Sequence, residues 1–129
     1  MTDNVLMAAA SNSEVAVTID ANDMIRLKWT EGITITEPAA RHAQQFVNEI
    51  SADRRRPMIV DMSETASVTR QARTVFLEEG AASIIALLGR SPVDRVIANF
   101  VLGVSNLPCP TKFFTSEDAA VQWLLTNRP

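Results

Sequence analysis

The chain has no tyrosine, one histidine, one cysteine and four glycines in 129 residues. A lone cysteine, Cys109, excludes an internal disulfide. A lone histidine, His42, gives a metal site no second imidazole, and it is the one base that could serve Cys109 as a nucleophile. Cys109 stands between Pro108 and Pro110, so its backbone is extended and the thiol reads as a partly buried loop group. There is no G-x-S-x-G elbow, no H-E-x-x-H pair, no P-loop and no dinucleotide fingerprint. Carboxylates are plentiful, yet no spacing sets two of them together in a cleft. These absences point away from an enzyme, and no cofactor or metal is expected.

Charge of one sign is missing as well. Twelve basic residues face fifteen acidic ones, for a net charge of −3. A nucleic-acid binder needs a basic excess to neutralise phosphates, so no nucleic-acid partner is expected. Arg54-Arg55-Arg56 is the only run of cations, too short for a polybasic membrane site. No apolar stretch approaches the roughly 20 residues that span a bilayer, and Met1 to Ala10 lacks the charged and apolar regions of a secretory signal. The expectation is a cytoplasmic protein without a membrane partner.

What is present is periodicity. With 47% apolar and 21% charged residues, the composition is that of a globular domain. Residues 1–13 read as a loose lead, and 14–129 as a single domain. Val15–Ile19 and Met24–Trp29 alternate polar and apolar around the turn formers Asp20 to Asp23, which predicts a β-hairpin. Thr36-Glu37-Pro38 opens a helix that carries Ala40, Ala43, Phe46, Val47 and Ile50 on one face and ends near Asp53. The three arginines then lie at its C-terminus, where cations complement the helix dipole.

Pro57–Met62 and Ile84–Leu88 are nearly continuous apolar runs, the mark of strands covered on both faces. A helix from Thr69 to about Glu79 separates them. Ser91-Pro92-Val93-Asp94 caps another helix with Val93, Val96, Ile97, Phe100 and Val101 as its apolar face, ending at Gly103. Thr111–Phe114 and a helix capped by Ser116 complete the order β-β-α-β-α-β-α-β-α. Such alternation implies an α/β fold with a mixed, mostly parallel sheet and helices packed on it.

Two places have the residues for a binding site. The loop from Asp61 to Thr69 carries Ser63, Ser67 and Thr69 at the end of a buried strand, where open α/β sheets gather ligands. Gly89-Arg90-Ser91 adds an arginine and a glycine ahead of a helix N-terminus. Either could hold an anion such as a phosphorylated metabolite, a nucleotide or a lipid headgroup, because free N–H groups and the helix dipole favour negative charge. The alternative in both is plain helix capping. Trp29 and Trp123 are candidate interface anchors or core residues. Val15–Ile19, read as an unpaired edge strand, invites pairing with a second copy.

The order of elements resembles the STAS domain, the fold of bacterial anti-sigma-factor antagonists, and within it a bacterial branch described as STAS/SEC14-like. Ile59-Val60-Asp61-Met62-Ser63, Gly89 to Val96 and Phe113 to Ala119 carry the resemblance, which spans about Val15 to Leu125. It implies a regulatory or scaffolding module that binds another protein or itself, as a homodimer. In the antagonists a serine at the start of the second helix accepts phosphate from a kinase. Here that position falls on Arg70 or Gln71, so the phospho-switch is not carried over.

Overall fold

A computed structural model describes residues 8–103 and 107–128. In chain order these form strands β1 (Ala8–Ser11), β2 (Val15–Ile19), β3 (Ile25–Trp29) and β4 (Thr34–Ile35), helix α1 (Glu37–Ser51), β5 (Arg56–Asp61), β6 (Ser67–Val68), α2 (Arg70–Val75), β7 (Ala82–Leu88), α3 (Pro92–Leu102), β8 (Thr111–Phe114) and α4 (Glu117–Thr126). The main sheet runs β1-β2-β3-β5-β7-β8, and β4 pairs with β6 in a separate two-stranded ladder. From β3 onward every pairing is parallel, while β1, β2 and β3 are antiparallel. The sheet is therefore mixed and mostly parallel, and the α/β expectation holds.

The hairpin forms where the sequence places it. Asp20 accepts from the N–H groups of Asn22 and Met24 at 2.9 and 3.1 Å, and Asp23 takes the left-handed conformation (φ 64°) that turns the chain back. Asp, like Asn, tolerates that region because its short side chain bonds locally. Two expectations change here. Residues 8–11 of the supposed lead form β1, and residues 1–7 lie outside the described ones. β2 is consequently no edge, since β1 pairs with it on one side and β3 on the other. Ala8 to Ser11 carries too weak an alternation to be read as a strand.

The strand order advances in one direction from β3 through β5 and β7 to β8. Right-handed crossovers then put α1, α2 and α3 on the same face of the sheet. The larger core lies on that face, built from Val17, Leu27, Trp29, Ala43, Val47, Met58, Val75 and Ile97 among others. α4 alone covers the opposite face, where Met24, Ile59, Ile84, Ala86, Ala120 and Leu124 form a second core. Trp29 is 3% exposed and belongs to the larger core, so it cannot anchor a partner. Trp123 packs at the margin of the second core, its ring 5.4 Å from that of Phe114.

The arginine run works as the dipole argument expects. Arg56 is buried and donates to the Ser51 carbonyl at the end of α1 at 2.6 Å and to Asp23 at 2.8 Å. Arg54 reaches the other oxygen of Asp23 at 2.6 Å. Arg56 lowers the Asp23 carboxyl below its ordinary value through this hydrogen bond, and the result outweighs burial. The two cations thus fasten the β2–β3 turn to the end of α1.

Candidate functional site

A unidirectional strand order has no switch point, so the crevice that opens in doubly wound sheets between oppositely directed crossovers is not built here. Of the hydroxyls in the Asp61–Thr69 loop, those of Ser67 and Thr69 make internal bonds, while those of Ser63 and Thr65 are buried without a hydrogen-bond partner among the described residues. Asp61 ends β5, accepts from the Ser63 N–H at 3.0 Å and pairs with Lys28 at 3.4 Å. Burial pulls its carboxyl upward, but Ser63 and Lys28 more than offset this and hold it below the usual carboxylate value. Ser63 is buried, and Ser67 lies in β6, where its hydroxyl bonds Thr34 of β4 at 3.1 Å. Thr69 caps α2 by accepting from the Ala72 N–H at 3.0 Å. Arg70, the first residue of α2, is exposed.

The Gly89-Arg90-Ser91 segment already holds an anion of its own. Asp94 accepts from the N–H groups of Arg90 and Ser91 at 2.8 and 3.1 Å, and the Ser91 hydroxyl accepts from the Asp94 N–H at 3.0 Å. This capping box satisfies the amides that an outside anion would use. Gly89 is buried rather than a mobile hinge. A Cβ there would stand 2.7 Å from Cβ of Asp94 and 2.9 Å from the Phe113 ring, so the glycine serves close packing. The seven residues singled out from the sequence thus lie along the carboxyl ends of the strands, without forming an open cradle.

The capping box also decides which way α3 faces. Asp94 turns inward at 1% exposure, and Ile97 and Ala98 follow it into the core at helical spacing. Val93 and Val96, expected inside, are 59% and 67% exposed. Buried Asp94 displaces the stripe, because an inward carboxylate and outward valines are two results of one helix rotation. The valines share their side with Phe100, which is half-buried under the guanidinium of Arg73 from α2, 4.5 Å from its ring centroid. Arg95 lies over the ring of Phe113 at 4.9 Å.

Charge on this face is one-sided. α2 carries Arg70 and Arg73 and no acid, while Arg90 and Arg95 flank Asp94, whose carboxylate is buried. None of these four arginines forms an ion pair among the described residues. Arg26, Arg41, Arg54 and Arg56 elsewhere in the chain each do. The result is an apolar ridge, Val93–Val96–Phe100, bordered by unpaired cations. The sequence held the signal in the i, i+3, i+4, i+7 set of Asp94, Ile97, Ala98 and Val101, a rival stripe to the all-apolar one.

Other groups are placed as single residues. His42 is exposed on α1, with its Nδ1 4.0 Å from a Glu14 carboxylate oxygen. Among the described residues no three His, Cys, Asp or Glu side chains gather as a metal site. No helix among them is long and apolar enough to cross a membrane. Burial raises the Cys109 thiol above its ordinary pKa, which keeps it neutral and a poor nucleophile.

A family model described as a domain of unknown function, DUF7793, matches residues 17–128. The chain belongs to the DUF7793 family. A crystal structure from Shewanella loihica PV-4, an uncharacterized protein of the DUF3478 family with a SpoIIAA-like fold, is similar over 91% of this chain and 99% of that one. It has a TM-score of 0.60 and 19% identity. The DUF7793 chain therefore has the SpoIIAA-like, STAS-type fold that the sequence resembles. A protein of unknown function from Arthrobacter sp. FB24 shares 49% identity over 92% of this chain and 98% of that one, with a TM-score of 0.38. Comparison with proteins of curated function finds no match.

Proposed function

We propose that this DUF7793 chain is a non-enzymatic regulatory or scaffolding module that docks an acidic protein segment on the outer face of α2 and α3. The observation that carries the reading is the pair Val93 and Val96, exposed one helical turn apart among four arginines that have no carboxylate partner among the described residues. Covering each valine contributes about 1 kcal/mol by the usual value per area. Carboxylates from the partner supply register and faster encounter. The SpoIIAA-like fold supports the reading as a scaffold, and Arg70 or Gln71 where the STAS resemblance puts the phosphoacceptor supports a module without that switch.

A second copy is the weaker occupant of this face. An isologous dimer would set the same patch against itself and oppose arginine to arginine. Self-association, if present, belongs to another surface. An anionic small ligand is weaker still, because Asp94 and the helix caps occupy the amides it would need.

The test is quantitative affinity capture from the native host with the full chain, its Val93→Glu/Val96→Glu variant and its Arg90→Glu/Arg95→Glu variant. The reading expects a partner that is lost from both variants and released by salt, since exposed charge pairs are screened. Capture unchanged by both variants, with each variant folded by circular dichroism, would overturn it.

A further inference from the structure

We propose that the space between the sheet and helices α1, α2 and α3 is a binding site for a neutral, apolar molecule about the size of one aromatic ring. A cavity of about 150 Å³ lies there. Protein interiors ordinarily leave few voids larger than a water molecule. An apolar cavity of this size accepts benzene in an engineered protein.

The walls come from every element around it. Leu27 and Met58 form the sheet side, Val47 the α1 side, Val75 the α2 side and Ile97 the α3 side. The cause is visible in α1. Its buried residues are Ala39, Ala40, Ala43, Val47 and Ser51, a face of small side chains over fifteen residues. Small faces usually let a helix settle close onto a sheet, but here the space beneath Ala40 and Ala43 stays open. Met58 and Met62 line it too, and unbranched thioether chains adapt to varied shapes.

The same lining selects the ligand. Among the described residues Glu78 is the only charged one on it, stands exposed and is paired with Arg41 at 2.9 Å. No cation lines the space to receive a phosphate or carboxylate. Hydrogen-bonding groups on the lining are few, Trp29, Gln44, Asn48, Cys109 and Thr111 besides Glu78, and a single polar substituent could meet one of them. This goes beyond the docking reading and does not rest on it, since the cavity uses the inner residues of α2 and α3 and the docking face the outer ones.

Methyl NMR of the full chain titrated with benzene, and separately with benzoate, tests the proposal. Benzene should shift the Val47, Val75, Ile97 and Met58 methyl signals saturably, and benzoate should not. Ala43→Leu and, on the opposite wall, Ala82→Val should fill the space and weaken benzene about tenfold or more, as lost pocket volume does elsewhere. No saturable shift up to the solubility of benzene would overturn the site in the unmodified chain, whatever the variants do. Equal binding by benzoate, or by whichever filled variant folds, would overturn it as well. Capture experiments on Val93 and Val96 read a different surface, so either proposal can fail alone.

Discussion

Arginines at the two ends of this molecule do different things. At the end of α1, Arg54 and Arg56 share the Asp23 carboxylate, and Arg56 also closes a helix carbonyl. On α2, on α3 and just ahead of α3, Arg70, Arg73, Arg95 and Arg90 have no carboxylate partner among the described residues, and two of them lie on aromatic rings. The first group is spent on the fold, tying a hairpin turn to a helix. The second is left over by the fold and borders the exposed valines Val93 and Val96 of α3. Where a charge finds its partner separates structural from available residues better than its position in the sequence does.

Arg56→Ala should break that contrast most visibly. Removing a buried guanidinium that serves a carboxylate and a carbonyl should cost about 2–3 kcal/mol, read as a lower midpoint in urea unfolding. Arg90→Ala should stay within about 0.5 kcal/mol. Equal losses would erase the distinction between the two groups. Gly89→Ala sits next in size, at about 1–3 kcal/mol, because its Cβ would meet Asp94 and Phe113. If Gly89 were instead a hinge for a ligand, the alanine would leave stability unchanged.

Acid acts on carboxyls at both ends of the sheet. The Asp23 carboxyl is held low by Arg56, and Asp61, drawn upward by burial, is held low by Ser63 and Lys28. A carboxyl whose folded pKa lies below its unfolded value, about 3.9, stabilises fully above that value. The contribution is lost as pH falls through the folded pKa. Asp23→Asn should therefore lower stability at neutral pH and flatten the acid limb of a stability–pH curve. An acid limb of unchanged slope would contradict the pairing. The smallest effect belongs to the docking face, where Val96→Ser should change the unfolding midpoint by less than about 0.5 kcal/mol.

Most of the architecture was legible because each element is announced locally. Thr36, Ser91 and Ser116 cap their helices as their spacing predicts, and the runs Pro57–Met62 and Ile84–Leu88 are central strands. What escaped depends on pairing across the chain. β4 and β6 are two residues each and are stitched together by Ala66 and Thr69 donating to Ile33 and Ile35, which no local pattern encodes. The helix read as Thr69 to Glu79 stops at Val75. The candidate site was legible in position and not in use. Thr69 and Ser91 are caps, and the exposed ridge of α3 is hidden in the sequence because Val93, Val96, Ile97, Phe100 and Val101 make a second apolar stripe that the inward Asp94 rotates partly outward.

The most direct test of the docking face is a photo-reactive phenylalanine at position 96 in the native host, compared with the same group at Lys28 on the sheet face away from α1–α3. The account predicts a cross-link at position 96 to a protein segment rich in carboxylates, reduced by salt and absent at position 28. Cross-links of equal yield at both positions, or none at position 96, would contradict it.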